Sequence, residues 1–261
     1  KRQVALTSGV YRVYAKLAER QPSDWGVLSA WAWGASRIMD WIESEKTIDA
    51  AKVGIIGHSR GGKAALVAGV TDTRFAMTVS NNSGCGGAKL NSMDLPLSEP
   101  CWKFKWWGVD YWFCDRFQDV FPKNERHLPH DQDEWLALVA PRMLCVRSAQ
   151  ADAWAGPEGE CAATASASKS WWAMGKPENL DYSMREGKHD LGVEDWMYYL
   201  DIADERWRGV TVTVQGGDSA AIQRALDTKE RPLTVIIPKG NYDITDTLKV
   251  GSRTHIKAHP E

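Results

Sequence analysis

The chain has 261 residues, 43 % of them hydrophobic and 25 % charged, and a formal net charge of −2 at pH 7. That length can bury a large core and carry more than one domain. The near-neutral balance points away from nucleic acid or an anionic membrane surface as partner. No transmembrane run, signal peptide or lipidation signal occurs.

Fourteen Trp is a large number. Some must fill the core, and a surplus of flat rings also suits clefts that stack on sugar faces. Five Cys is odd, so at least one stays unpaired, and their spacing fits no zinc motif. Neither a metal nor a cofactor is expected. The sequence opens at Lys1 inside a helix pattern and stops in mid-pattern over 254–261, so both ends are read as cut.

In chain order, residues 9–20 are expected to form a helix with Val10, Val13, Tyr14 and Leu17 on one face. Pro22-Ser23-Asp24 is a cap signal for a longer helix over about 25–45. There Val27, Leu28, Trp31, Ile38, Met39 and Ile42 recur at helical spacing, which assigns the Trp residues to the core. Ile48-Asp49 leads into a short apolar strand, 53–56, ending in Gly57-His58-Ser59-Arg60-Gly61 and a run of small residues. Gly-x-Ser-x-Gly between strand and helix has the form of a nucleophile elbow. The turn is tight enough that only small residues fit at Gly57 and Gly61. Ser59 would stand above the sheet edge, with the helix N-terminus offering N–H groups to a developing oxyanion. A Gly-rich turn with an idle serine would carry the same five letters.

Residues 75–80 read as the next strand, followed by Asn81-Asn82-Ser83-Gly84-Cys85-Gly86-Gly87. A long irregular region over 88–129, with Trp102, Trp106, Trp107, Tyr111, Trp112 and Phe113, is expected to wall a cleft. Then come a helix over 131–139, a strand over 142–149 ending near Asp152, and a helix over about 157–174. A short strand over 180–185 precedes the loop Gly187-Lys188-His189-Asp190. A final helix over 193–207 carries Trp196, Met197, Leu200 and Ile202 among its apolar positions. This alternation implies a parallel sheet with helices on both faces. Functional residues then belong at strand C-terminal ends, where Ser59, Asp152 and His189 all fall. Serine, then acid, then histidine is the chain order of α/β-hydrolases.

Each partner of Ser59 has rivals. His189 competes with His58, which lies in the elbow and is expected to point elsewhere, with His127 and His130 in the long loop, and with His255 and His259 in the tail. Asp152 competes with Glu158, Glu160 and Asp190. Position after the last and the penultimate strand favours His189 and Asp152.

Several stretches together resemble bacterial glucuronoyl esterases of carbohydrate esterase family 15. They are 57–63, 80–87, Tyr111-Trp112-Phe113-Cys114, Ala140-Pro141-Arg142, 151–160 and 187–190, and the similarity covers roughly 25–207. The resemblance implies an α/β-hydrolase, partial because the early strands are missing. It would cleave the ester between lignin alcohols and 4-O-methyl-glucuronic acid on xylan, in a secreted or periplasmic setting. It implies Ser59 as nucleophile, His189 as base and Arg60 as an oxyanion group through its N–H and guanidinium. Lys63 would contact the uronate, Trp154 the sugar, and Glu99 corresponds loosely to a glutamate of the substrate cleft. Fungal relatives carry a catalytic Glu where this chain has Asn82, so the acid role falls to Asp152. The hydroxyl of Ser59 needs a neutral imidazole to take its proton, and Asp152 would fix the tautomer and offset the charge on His189. By position, Lys63 lies one helical turn after Ser59 and projects from the same face; a solvated helix lysine is the alternative there.

After Gly209 the character changes. Residues 210–214 alternate, Gly216-Gly217-Asp218-Ser219 caps a helix over 220–226, and short strands are expected over 233–237, 241–244, 247–250 and 255–258. This tail resembles the opening of a pectate-lyase-like right-handed β-helix, whose core needs several stacked coils. The expected division is therefore 1–208, the C-terminal portion of an esterase domain, and 209–261, the start of an all-β domain. Plant cell-wall polysaccharide, as glucuronoxylan or its lignin ester, is the expected partner, with neither nucleic acid nor membrane. An acetyl-xylan or other carbohydrate esterase on the same fold, and a non-catalytic polysaccharide-binding fragment, are the alternative readings.

Overall fold

The computed structural model describes residues 8–14, 20–117, 129–230, 233–252 and 254–259. Its centre is a four-stranded parallel sheet in the order β1 (Gly54–His58), β2 (Met77–Asn81), β3 (Met143–Ala149), β4 (Leu180–Arg185). Two helices precede it, the short α1 (Gly9–Tyr14) and the long α2 (Val27–Ser44). The connections between strands are α3 (Arg60–Thr71), a long segment ending in α4 (Gln132–Ala137), and α5 (Pro157–Ala173); α6 (Val193–Arg208) follows β4. The parallel sheet flanked by helices, expected from the alternation of patterns, is present.

β3 shows why the sheet is covered on both faces. Every residue of it is buried. Leu144 and Val146 join Leu66, Leu136, Val139, Ala163 and Trp171 on one face. Met143 and Cys145 join Met77, Val79, Tyr199 and Ile202 on the other. A strand's side chains alternate between faces, so a continuous apolar run supplies both cores at once. β1 and β4 are the edge strands, and each leaves several residues only partly covered or exposed.

Several expectations change. The buried stripe of α2 runs through Leu28, Ala32 and Met39, joined by the partly buried Ala35 and Ile42. Trp31, Ile38 and Trp41 are 47 %, 59 % and 57 % exposed, so the Trp residues of this helix are not core. The small alanines allow α2 to lie close on α3; the bulky stripe faces outward. In α6 Ile202 is buried as expected, together with Tyr199 and Ala203, while Trp196, Met197 and Leu200 are exposed. In α1 the buried residue is Tyr11, which donates to Trp25 O at 3.1 Å. Leu17, the side chains of Val13 and Tyr14, and His127 lie outside the described residues.

The tail forms a second, three-stranded parallel sheet, β5 (Val210–Thr213), β6 (Leu233–Ile237) and β7 (Thr254–Ala258), in that order. Helix α7 (Ser219–Leu226) packs on it through Ile222, Ala225 and Leu226. Asp218 caps α7 by accepting from Ala221 N at 2.7 Å. The strands expected over 241–244 and 247–250 are absent: Asp243 makes only an isolated bridge to Asp218. Its neighbours spend their hydrogen bonds on the α7 cap, as Thr245 N does on Ser219 Oγ. The two sheets meet at a buried polar seam. Glu205 Oε2 pairs with His255 Nε2 at 2.8 Å, Arg206 donates to Thr234 Oγ1 at 2.7 Å, and Lys257 reaches Leu180 O and Asp181.

Candidate active site

Four parallel strands bring four turns to one edge. β1 runs into Ser59, β2 into Asn82, β3 into Asp152 and β4 into His189. The turns are tied to the sheet in sequence: Ser59 N donates to Asn81 O at 2.9 Å, Asn82 N to Arg147 O at 2.9 Å, Gln150 N to Arg185 O at 2.8 Å and Ala151 N to Gly187 O at 2.9 Å.

Ser59 stands in the left-handed region, with φ 58 and ψ −126, and opens α3. A non-glycine residue there carries strain that the flanking turn must hold. The space requirement falls on Gly57, where a Cβ would lie 1.9 Å from Gly61 O. Gly61 itself has nothing within 4 Å; the second tight position is Gly62, whose Cβ would meet Ser83 Cβ at 2.9 Å. The expectation that Gly61 is sterically required is therefore corrected to Gly62, because the helix turns its second glycine, not its first, onto the β2 loop.

His189 Nδ1 and Asp152 Oδ2 are 2.6 Å apart, and Asn82 Nδ2 donates to the same oxygen at 2.6 Å. Ala155 N donates to the other carboxylate oxygen at 3.3 Å. Asp152 is 4 % exposed. Burial alone would raise its pKa; the hydrogen bonds from His189 and Asn82 outweigh that and hold the carboxyl below its usual range. The bond to Asp152 raises the His189 pKa above the ordinary imidazole value against the opposing effect of burial, and the charges of Asp152, Glu99 and Glu160 add to the rise.

The rivals sort themselves by contact. Glu160 is fully buried and accepts from Ser83 N at 2.8 Å, Gly84 N at 2.9 Å and Ser148 Oγ at 2.6 Å, so it braces the loop after β2. Burial raises its pKa and those donors oppose the rise. Glu158 is exposed, and Asp190 accepts from Leu191 N at 2.7 Å. His130 is exposed in the long segment, His255 belongs to the seam with Glu205, and the His259 ring lies 4.6 Å from Trp172.

His58 does not point elsewhere. Its Nδ1 bonds Asn81 Oδ1 at 2.6 Å, Asn81 Nδ2 donates to Tyr199 OH at 2.7 Å, and its ring centroid lies 4.4 Å from that of His189. The asparagine amide holds the ring on the sheet's upper edge, which is the physical reason for the correction. This contact also sets the His189 ring against the residue preceding Ser59. No hydrogen bond joins Ser59 Oγ to His189 among the described residues; such bonds are often long without substrate.

Lys63 is 2 % exposed. Its ammonium donates to Ser83 O at 2.7 Å, to Cys85 O, and to Glu99 Oε2 at 3.0 Å, so all three donors are engaged. Glu99 is held in turn by Glu99 N donating to Trp154 O at 2.7 Å. Trp154 is 49 % exposed and lies 5.1 Å from Trp107, ring to ring. Arg60 is exposed, with its guanidinium 5.8 Å over the Trp112 ring. Cys85 and Cys101 form a disulfide that ties this loop to the Trp-rich wall, leaving Cys114, Cys145 and Cys161 free. Among the described residues no group of three His, Cys, Asp or Glu could hold a metal ion. Sequence reasoning missed the contact of the His58 ring with His189, the donor that Asn82 supplies to Asp152, and the donors that Ser83, Gly84 and Ser148 supply to Glu160; only the Asn81-Asn82-Ser83 run at a strand end pointed toward them.

The family model described as glucuronyl esterase, fungi, matches residues 6–175. The chain belongs to the glucuronoyl esterase family. A carbohydrate esterase of an unknown prokaryotic organism is 38 % identical over 220 residues, covering 78 % of this chain and 50 % of that protein. A 4-O-methyl-glucuronoyl methylesterase of Podospora anserina is 32 % identical over 180 residues, 62 % of this chain and 35 % of that one. Among solved structures, a carbohydrate esterase family 15 glucuronoyl esterase from Caldicellulosiruptor kristjansonii superposes with a TM-score of 0.68 at 36 % identity, covering 71 % of this chain and 51 % of that chain. This glucuronoyl esterase family member thus spans about half the length, or less, of the relatives it matches.

Proposed function

We propose that this chain is the part of a serine esterase that carries its nucleophile, acid and base, and that it hydrolyses esters of 4-O-methyl-glucuronic acid such as lignin–glucuronoxylan cross-links. The observation that carries the reading is the Asn82–Asp152–His189 chain of hydrogen bonds set beside the Ser59 elbow through the His58 ring. In this mechanism His189 Nε2 takes the Ser59 proton as Oγ attacks the ester carbonyl, and returns it to the departing alcohol. A water then repeats the sequence on the acyl-enzyme. Asp152 keeps the Nδ1–H tautomer and offsets the imidazolium charge. The N-terminus of α3, with the Arg60 N–H and guanidinium, faces the oxyanion; each such donor is worth about 3 kcal/mol.

Lys63, one helical turn after Ser59, and Glu99 would form the floor of the substrate site. A uronate hydroxyl would exchange for one of the three acceptors now on the Lys63 ammonium. Trp154, half exposed beside Trp107, offers a face to the sugar ring. The Cys85–Cys101 disulfide favours an oxidising, secreted or periplasmic setting. We assign 1–208 to the esterase and 209–261 to a separate all-β domain; strands β5, β6 and β7, stacked in sequence order, suit the first coils of a β-helix.

Release of methanol from methyl 4-O-methyl-glucuronate tests the reading, with Ser59→Ala as control. Turnover that vanishes in the variant supports it. Hydrolysis of acetyl esters alone would favour a broader carbohydrate esterase, the description that the 38 % identical relative bears.

A further inference from the structure

We propose that Arg185 is a positioning residue for His189: the loop over 186–190 folds around its guanidinium, and this sets where the imidazole meets Asp152. The proposal rests on the reading of His189 as the general base.

The His189 side chain is 41 % exposed. Its ring touches Asp152 by one hydrogen bond and His58 by one ring contact, while Glu99 and Glu160 act on it only through their charges. Two contacts on a half-exposed ring leave its position to the backbone that carries it. Glu186, Lys188 and Asp190, the charged residues of that loop, are exposed. What holds the loop lies inside it. Arg185 donates through one terminal nitrogen to Glu186 O at 2.9 Å, and through the other to Lys188 O at 3.3 Å and Asp190 O at 2.7 Å. The carbonyls on both sides of His189 therefore converge on one planar cation. Carbonyls of this kind would repel one another without it, and a guanidinium's fork suits several acceptors at fixed angles.

Gly187 supplies an independent observation. Its φ is +101, and a Cβ there would lie 2.8 Å from Arg185 Nη1. That backbone conformation favours glycine, and a Cβ there would push the guanidinium out of the loop. Its carbonyl accepts from Ala151 N at 2.9 Å, which stitches the His189 loop to the Asp152 turn. The far side of Arg185 is also fixed. Its Nε donates to Asp195 Oδ1 at 2.8 Å, and Asp195 also accepts from Arg147 Nε at 2.7 Å and Gly192 N at 2.9 Å. Arg147 also pairs with Glu194 at 3.1 Å, and the Asp195 contact takes only the Nε of Arg185, so both of its terminal nitrogens remain for the loop carbonyls.

The test is made on the full chain with Arg185→Met, Arg185→Lys and Gly187→Ala. Two readouts are taken: turnover of methyl 4-O-methyl-glucuronate, and titration of the His189 ring nitrogens by NMR, assigned with His189→Gln. Thermal melting confirms folding. A shift of the ring by about an ångström costs roughly 10²-fold in rate. Arg185→Met and Gly187→Ala are expected to lose about that much kcat with KM little changed, and the His189 pKa should fall toward the ordinary imidazole value. Arg185→Lys, with its charge but not its fork, should recover part of both. A folded Arg185→Lys or Gly187→Ala with unchanged kcat and unchanged His189 titration overturns the proposal. If the wild-type chain does not turn over the ester, the esterase reading fails, and the titration alone still decides whether Arg185 places the ring. If Arg185→Met does not fold, the other two variants decide.

Discussion

Replacing Asp152 by Asn removes a charge and leaves the shape. In the structure one carboxylate oxygen accepts from both His189 Nδ1 and Asn82 Nδ2, each at 2.6 Å. An Asn at 152 would keep its carbonyl oxygen on that side, because the reverse orientation sets its NH2 against the NH2 of Asn82. The imidazole tautomer then survives, and what is lost is the attraction between carboxylate and imidazolium. Two unit charges about 4 Å apart at an effective dielectric of ~20 attract by about 4 kcal/mol. The His189 side chain is 41 % exposed. Screening then trims the figure to about 3 kcal/mol, or roughly 10²-fold in kcat. Where the amide can turn and spoil the tautomer, the loss approaches ~10⁴. Asp152→Asn combined with Asn82→Leu frees the amide, so it should be slower than the single variant by about a further tenfold or more. The assay is initial-rate hydrolysis of methyl 4-O-methyl-glucuronate, with melting curves to confirm folding. The reasoning is refuted if the single variant stays within about threefold of wild type, or if it is already as slow as the double variant.

Because the His189 pKa is raised and the base must be neutral, kcat/KM should climb with pH through that raised value; Asp152→Asn should move the climb to lower pH. The same pair stabilises the fold below the ordinary imidazole pKa, and this part is lost as pH rises through the raised one, as melting against pH would show. Gly57→Ala drives a methyl group to 1.9 Å from Gly61 O and should abolish or severely lower the melting transition, whereas Gly61→Ala, in open space, should leave it unchanged or up to about 1 kcal/mol higher. Glu205, held down to about 2 from 4.5 by His255, Arg206 and Thr234 against the effect of burial, should contribute about 3 kcal/mol above its ordinary pKa. That contribution fades as pH falls from the ordinary value toward 2, so Glu205→Gln should melt below wild type near neutrality and converge with it in acid. Lys63→Met strands the buried Glu99 carboxylate and should cost about 3–5 kcal/mol in urea unfolding, recovered in part by Glu99→Gln.

That Ser59, Asp152 and His189 share one sheet edge was legible in the sequence for a topological reason. In a parallel sheet every strand delivers its following turn to the same edge, so a serine, an aspartate and a histidine each placed just after an apolar run could be put together without knowing a single contact. The contacts themselves were not legible. Asn82 and Arg185 act through one amide and one guanidinium whose partners are far off in sequence or are backbone carbonyls, and neither leaves a periodic trace.

The faces of the helices were read only in part, with Val27, Leu28, Met39 and Ile202 buried as expected and the bulky Trp31, Ile38, Trp196, Met197 and Leu200 not, for a different reason. Helix α2 carries two apolar stripes, Leu28, Ala32, Ala35, Met39 and Ile42, and Trp31, Ile38 and Trp41; α6 likewise carries Tyr199, Ile202 and Ala203 beside Val193, Trp196, Met197 and Leu200. Period 3.6 finds both stripes and weights the larger side chains. Packing against a neighbouring element selects by fit, and on α2 the alanines let its backbone approach α3 while three bulky side chains could not. Hydrophobic size therefore misled on α2, where small residues set the approach; in the elbow the tight turn was foreseen, but the glycine that touches the β2 loop is Gly62, not Gly61. A sequence reading that asked which stripe permits the closest approach, rather than which is most apolar, would have chosen correctly in α2 and left α6, whose buried stripe holds the large Tyr199, undecided.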